Sequence, residues 1–267
     1  MDLGMNGARA VVTGGSKGMG RAIAERLAAE GAEVAVFARG EEARDETVAA
    51  LHALGSRSSF ALGVDFRVEA QVADAFSKLE KQWPSLNILV NTLGPGAGRF
   101  EELDDTAWEV TLDLGLMTAV RSVRGALPLL RRAEWARIVN FSAHSTRRQS
   151  PLLVAYTASK AAIASFSKNT SLSLAPEGIL VNTVSPGSIV TASFSEGLRE
   201  MFAQEGLDPT DPYDVMRWID EHFHQPAALG RAGLPAEVAS LVAYLASRTN
   251  GYVTGADVNV DGGSDFV

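Results

Sequence analysis

Tyr156 and Lys160 stand four residues apart in Tyr156-Thr157-Ala158-Ser159-Lys160. On a helix, positions i and i+4 share one face, so the ammonium is expected beside the phenol. A neighbouring cation favours the phenolate and lowers the tyrosine pKa from its ordinary value of about 10. The phenol then becomes a usable acid or base near neutral pH. Taken alone, such a pair is most often a surface contact. A second motif changes that balance, the glycine loop Thr13-Gly14-Gly15-Ser16-Lys17-Gly18-Met19-Gly20. Glycines let the backbone turn tightly and approach a ligand, and the N–H groups opening the next helix suit a pyrophosphate. The spacing is G-x-x-x-G-x-G, through Gly14, Gly18 and Gly20, rather than the commoner G-x-G-x-x-G. One end of the site would hold a dinucleotide and the other would move a proton.

The end of the second strand carries the coenzyme choice. A carboxylate there would bond a ribose 2′-hydroxyl and select NAD(H). This chain has Ala38 followed by Arg39, and Lys17 lies in the glycine loop. Two cations without an acid fit a 2′-phosphate, so NADP(H) is expected over NAD(H). Glu41 and Glu42 stand close enough in sequence to neutralise part of that charge.

Short apolar runs alternate with helical patterns and must position these residues. Strands are expected at 8–13, 34–38, 59–64, 86–91, 136–142, 179–184 and 256–260, and helices at 18–30, 42–54, 68–83, 105–132, 152–175 and 235–247. Pro128 should kink or end the long helix 105–132. The alternation predicts an α/β fold, a doubly wound parallel sheet with helices on both faces. No linker divides the chain, so a single domain over 1–267 is expected. The segment 192–230 breaks the alternation and contains Phe194, Met201, Phe202, Leu207, Met216, Trp218 and Phe223. Such an insertion reads either as a substrate-binding lid or as an amphipathic helix pair packed on the body.

Bulk properties narrow the partners. The 267 residues are 46% hydrophobic and 21% charged, which suits a globular chain with a sizeable core. A net charge of −8 disfavours nucleic acid. The absence of cysteine rules out disulfides and thiolate chemistry. No apolar run is long enough for a membrane span and the N-terminus shows no signal-peptide pattern, so a cytoplasmic protein is expected. No metal is expected: His222 and His224 are two apart and do not share a helix face. Ser142 and His144 lack a nucleophile elbow, which disfavours a hydrolase. Arg147-Arg148 reads as a loop pair or subunit contact.

These motifs together resemble the short-chain dehydrogenase/reductase family, almost from end to end. The Thr13–Gly20 loop is similar to its T-G-x-x-x-G-x-G motif and Tyr156–Lys160 to its Y-x-A-S-K motif. The run Val181-Asn182-Thr183-Val184-Ser185-Pro186-Gly187 through Thr191, the pair Gly230-Arg231 and the closing Thr254-Gly255 to Gly262-Gly263 also fit. The resemblance implies a seven-stranded, mainly parallel Rossmann-type sheet and hydride transfer between a nicotinamide and a carbonyl/alcohol pair. It implies Tyr156 as general acid/base and Lys160 as its electrostatic partner and a ribose ligand. Asp65 and Phe66 would sit by the adenine, and Asn91 and Gly94 would line the coenzyme site. Gly14, Ser16, Lys17, Gly18, Met19 and Gly20 would hold the phosphates, with Arg39 at the 2′ position. Pro186 and Gly187 would line the coenzyme, and the Ile189 backbone and Thr191 would hold the carboxamide and a phosphate. A homodimer or homotetramer built on the long helices and the final strand is implied.

Two positions depart from the family pattern. Gly115 falls where the family places an asparagine supporting a proton-relay water, and Ala143 falls thirteen residues before the tyrosine, where a serine normally polarises the substrate carbonyl. Ser142 and Ser145 flank Ala143. If the strand stays extended, Ser145 shares the face of Ala143; if it bends, Ser142 turns in. Both remain candidates, with His144 behind them. The fourth-strand motif is altered as well, to Asn91-Thr92-Leu93-Gly94. The functional expectation is an NADP(H)-dependent oxidoreductase acting on an apolar or amphipathic ketone, 3-oxoacyl group or ring alcohol. Its rival is a catalytically weak dinucleotide-binding protein with a sensing or scaffolding role.

Overall fold

In a computed structural model, which describes residues 2–264, the chain folds around one seven-stranded sheet. The strands are β1 (Arg9–Thr13), β2 (Glu33–Ala38), β3 (Phe60–Gly63), β4 (Ile88–Asn91), β5 (Ala136–Phe141), β6 (Ile179–Pro186) and β7 (Asp257–Val260). Their order is β3-β2-β1-β4-β5-β6-β7 and every pairing is parallel. The order reverses direction between β1 and β4, and a crevice at such a switch point is where open α/β sheets bind ligands. Strands from both ends of the chain share this sheet, as the alternating pattern predicts.

The helices are α1 (Gly18–Ala29), α2 (Glu41–Ala53), α3 (Glu69–Gln82), α4 (Asp105–Leu112), α5 (Thr118–Leu130), α6 (Val154–Leu174), α7 (Ala192–Glu205), α8 (Pro212–Phe223) and α9 (Pro235–Ala246). Two apolar layers sandwich the sheet. On one face Val12, Val36 and Val90 pack with Ile23 and Leu27 of α1 and Val238 and Val242 of α9. On the other, Val11, Phe37 and Leu89 pack with Phe76 and Leu79 of α3 and Val123 and Leu129 of α5. Alternate residues of one strand serve opposite layers, which explains why these strands read as continuous apolar runs.

The expected helix 105–132 is interrupted, though not where Pro128 suggested. A π-helical stretch, Asp113–Met117, separates α4 from α5. It is centred on Gly115, where a side chain could not fit: a Cβ there would lie 2.3 Å from Ser159 Oγ and 2.6 Å from Ser159 Cβ. The glycine lets this stretch seat directly against α6. Pro128 sits in the last turn of α5 on its exposed side, where the carbonyl left without its amide partner stays near solvent. The segment 192–230 forms the helix pair α7–α8. Thr191 Oγ1 accepts from Phe194 N at the start of α7, and Asp211 accepts from Tyr213 N and Asp214 N at the start of α8. The pair encloses its own apolar cluster of Phe202, Val215, Met216, Trp218 and Ile219.

A chain of buried side-chain amides crosses the sheet centre. Thr13 Oγ1 donates to Asn91 Oδ1 (3.4 Å), Asn91 Nδ2 to Asn140 Oδ1 (2.8 Å), Asn140 Nδ2 to Ser167 Oγ (2.8 Å), and Ser167 Oγ to Ile163 O (2.7 Å). It links the strand that feeds the glycine loop to the helix that carries Tyr156.

Candidate active site

The carboxyl ends of β1, β2, β3 and β4 open into a cleft of about 630 Å³. Gly14, Ser16 and Lys17 line it from the glycine loop, Ala38 and Arg39 from the end of β2, Asp65, Phe66 and Arg67 from beyond β3, and Leu93 and Gly94 from beyond β4. Gly14 has φ +70°, a conformation that glycine adopts without strain. A Cβ on Gly20 would lie 2.3 Å from Gly14 O, so loop and helix meet at a distance only glycine allows. Gly18, Met19 and Gly20 form the first turn of α1. Thr191 faces that turn, its methyl 3.4 Å from where a Gly18 Cβ would stand. Two helix N-termini, those of α1 and α7, therefore flank one region.

The cleft is rich in cations. Lys17, Arg39 and Arg67 line it, and its one carboxylate, Asp65, is gripped by Arg67, with Nη2 to Oδ2 at 2.7 Å and Nε to Oδ1 at 3.1 Å. The hydrogen bond from Arg67, aided by the charge of Arg39, holds the Asp65 carboxyl down at about 2. The cleft therefore keeps a positive excess at neutral pH.

Asn91 does not reach the cleft. Its amide is buried and engaged by Thr13 and Asn140, so it braces β4 against its two neighbours. Pro186 ends β6, and Gly187 passes close to β7, its N–H donating to Val260 O at 3.0 Å. Ile189 lies by a small separate cavity and pairs with Gly233.

Tyr156 and Lys160 do share one face of α6. Lys160 is buried, its Nζ 5.8 Å from the Tyr156 ring centre, and it donates to Phe141 O (2.9 Å) and Leu93 O (3.4 Å). A Cβ on Gly94 would sit 3.1 Å from that Nζ, which places the ammonium at the inner edge of the cleft. The expected lowering of the tyrosine pKa is not found. Burial pushes the Tyr156 phenol up to about 12, and burial also brings the Lys160 ammonium down to about 8. Desolvation is the cause of both shifts, and the ammonium's hydrogen bonds go to two main-chain carbonyls. A phenol of this kind holds its proton at neutral pH and is able to give it.

Both flanking serines are hydrogen-bonded to α6. The chain stays extended through Ala143 (φ −160°, ψ 150°) and then turns in a 3₁₀ helix, His144–Thr146. Ser142 Oγ donates to Lys160 O at 2.9 Å, holding β5 against α6. The 3₁₀ turn breaks the strand alternation, so Ser145 does not follow Ala143. Its Oγ accepts instead from Thr157 Oγ1 at 3.3 Å. His144 Nδ1 bonds Pro186 O at 3.1 Å, joining the ends of β5 and β6. Ala143 and Gly115 themselves bring no polar side chain, and Ser142 donates its hydroxyl hydrogen bond to α6.

Sequence reasoning missed Arg67, Leu114 and Thr118 in the cleft wall. It also missed the role of Thr92, whose Oγ1 donates to Thr13 O at 2.6 Å and backs both Gly14 and Gly20. Arg67 follows Asp65-Phe66 directly and was open to discovery as the third cation of that end. Among the described residues no helix is long and apolar enough to cross a membrane. Glu205, Glu221 and His222 lie together on the surface of the α7–α8 pair, an exposed acidic group far from this cleft in its chemistry.

A family model described as enoyl-(acyl carrier protein) reductase matches residues 14–265. The short-chain reductase protein NovJ of Streptomyces niveus is 34% identical over 255 residues, 95% of this chain and 92% of its own. L-sorbose reductase of Gluconobacter frateurii, complexed with NADPH and L-sorbose, superposes with a TM-score of 0.92 at 29% identity, covering 100% of both chains. An NADPH-bound short chain oxidoreductase of Pseudomonas aeruginosa PAO1 containing an atypical catalytic center superposes with a TM-score of 0.86 at 30% identity, over 97% of this chain and 98% of that one. The glycine loop, the parallel sheet and the Tyr156/Lys160 helix thus sit in a chain that belongs to the short-chain dehydrogenase/reductase family of oxidoreductases.

Proposed function

We propose that the chain is an NADP(H)-dependent oxidoreductase that interconverts a carbonyl and a secondary alcohol. The observation carrying this reading is the junction of two sites: Lys160 reaches the cleft edge at Gly94 from the same helix face that presents Tyr156. The coenzyme fits the residues present. Gly14 and Gly20 leave a cradle that a Cβ would fill, and Lys17, Arg39 and Arg67 surround the end where a 2′-phosphate would lie. When bound, NADPH supplies the hydride that arrives at the carbonyl carbon.

The chain's own residues do the rest. Tyr156 gives its phenolic proton to the carbonyl oxygen as negative charge develops there, and takes it back in the oxidative direction. The phenol is protonated at neutral pH, as the donor role requires, and its burial makes it a weaker acid than a free tyrosine. Lys160 supplies positive charge behind the phenol and bonds the ribose hydroxyls. Arg39 and Lys17 clamp the 2′-phosphate. The loop at Ser16 to Gly20 and Thr191 at the start of α7 bind the pyrophosphate and the neighbouring nicotinamide half. With Ala143 in place of a serine, no side-chain hydroxyl at that position helps polarise the carbonyl, and Tyr156 carries the proton chemistry alone.

The segment 192–230 acts as the lid over the substrate. Phe202, Met216 and Trp218 are packed inside its helix pair and hold it together, and its exposed Met201 favours an apolar or amphipathic ketone. Exposed Leu172 on α6 and Tyr252 before β7 fit contacts between copies of the chain in a dimer or tetramer. The decisive experiment measures NADPH oxidation against a panel of cyclic ketones, 3-oxoacyl thioesters and polyhydroxy ketones, for the wild type and for Tyr156→Phe. Turnover on an apolar member that Tyr156→Phe abolishes supports the reading. Tight NADPH binding with no turnover on any member sinks it in favour of a dinucleotide-binding role, and preference for polyhydroxy ketones overturns the substrate class.

A further inference from the structure

Arg148 lies in the loop between Ala143 and Tyr156, the part of the chain that runs past the proposed carbonyl site. Its guanidinium reaches carbonyls from separate segments. Nη1 donates to Ser264 O (2.6 Å) and Pro226 O (3.2 Å), and Nη2 to His224 O (3.2 Å). Beside it, Gln225 Nε2 donates to Gln149 O at 3.2 Å. His224 and Pro226 are the exit of the α7–α8 pair, and Ser264 lies in the tail after β7. The exit is pinned from its other side too, since Leu229 N donates to Gly262 O at 3.0 Å. His224 is the one non-glycine residue with positive φ (51°) among the described residues, and it ends α8 in the left-handed conformation, its N–H bonded to Asp220 O. The loop itself is tied to the segment after β4, with Gly98 N donating to Leu152 O at 2.9 Å.

We propose that Arg148 is a positioning residue that latches the lid's exit and the C-terminal tail onto the loop beside Tyr156, and so sets the shape of the substrate site. The proposal rests on the oxidoreductase reading for its kinetic consequence but not for its structural one. A planar guanidinium has several donors in a fixed fork and serves several carbonyls at once, whereas a lysine offers a single point charge. The coenzyme cleft is lined by residues between 14 and 118 and includes none of the latch residues.

The test compares wild type, Arg148→Lys and Arg148→Ala as full chains. Hydrogen exchange is read by mass spectrometry over 224–233, NADPH affinity by fluorescence, and kcat and KM on the best ketone of the panel. In Arg148→Ala, exchange over 224–233 is expected to accelerate while that of β1 and β2 stays unchanged. Substrate KM is expected to rise about tenfold, the effect of losing a charged hydrogen-bond donor, with NADPH affinity within a factor of two of wild type (about 0.4 kcal/mol). Arg148→Lys is expected to lie between. Unchanged exchange over 224–233 overturns the latch whatever the kinetics. Accelerated exchange with unaltered KM and kcat overturns its part in the reaction. A parallel loss of NADPH affinity and of protection across the whole sheet means a merely structural arginine and overturns it as well. If Arg148→Ala does not fold, Arg148→Lys and Arg148→Gln decide by the same exchange readout. Wild-type chain that turns over no ketone sinks the oxidoreductase reading and leaves the exchange result to judge the latch.

Discussion

The two ends of the cleft are built on different terms. At the coenzyme end, glycines, cations and helix N-termini stand where a dinucleotide needs them, on the ends of β1, β2 and β3. At the carbonyl end, Tyr156 and Lys160 are in place, but Ala143 and Gly115 withhold two polar groups and the neighbouring serines are hydrogen-bonded elsewhere. On the function proposed above, the difference teaches that binding and chemistry are separable: the coenzyme end keeps its glycines and cations while the proton chemistry rests on one phenol and one ammonium.

The strongest way to break the comparison is at the phenol. Tyr156→Phe is expected to lower kcat for ketone reduction by roughly 10²–10⁴ while leaving NADPH affinity within a factor of two. Stopped-flow turnover and a fluorescence titration check both halves. Loss of coenzyme binding together with turnover would mean that the two ends are one unit. At the opposite end, Arg39→Ala is expected to weaken NADPH binding by roughly 10–100-fold, the loss of a charge-assisted bond, with NADH affinity unchanged. Equal losses for both coenzymes would remove Arg39 from the 2′-phosphate site.

Gly115→Ala probes what fills one of the gaps. The added methyl meets Ser159, so a loss of about 1–3 kcal/mol in unfolding free energy is expected from a denaturant titration. An unchanged midpoint would show that α6 yields easily and that the glycine is not needed for the fit. The mildest effect is on pH dependence. Lys160 is held near 8 by burial, below its ordinary value, so it is charged below about pH 8 and neutral above. The profile of kcat/KM for NADPH, which reports the coenzyme-free protein, is expected to fall as pH rises through about 8. A profile flat to pH 9.5 would place the ammonium in a better solvated setting than the buried one seen here.

Much of this was legible in the sequence, for physical reasons that differ by region. The strands were readable because a parallel sheet covered on both faces demands unbroken apolar runs, as at Ile88, Leu89 and Val90. The glycine loop was readable because steric need and residue type coincide at Gly14 and Gly20. The π-helical turn was not, because its cause is a contact with Ser159, over forty residues away in sequence, whereas Pro128 announced a break that exposure makes harmless. The tyrosine pKa was misjudged because spacing reveals a neighbour but not the loss of water around it. The fates of Ser142 and Ser145 depended on where the strand ended and a helical turn began, a boundary that local pattern places only to within a residue or two.

The buried amides at the sheet centre bear on folding fidelity. Asn91 and Asn140 stand opposite one another in the β4–β5 ladder. The apolar residues around them, Leu89, Val90, Ile138 and Val139, are similar enough that hydrophobic matching alone would tolerate a shifted alignment. Sliding one strand by a single position would strand two carboxamides in a dry interior, at about 1–3 kcal/mol for each unsatisfied group. The pair acts as a key that admits one alignment of the central strands, and so fixes, before any ligand arrives, how far the glycine turn stands from the helix bearing the phenol.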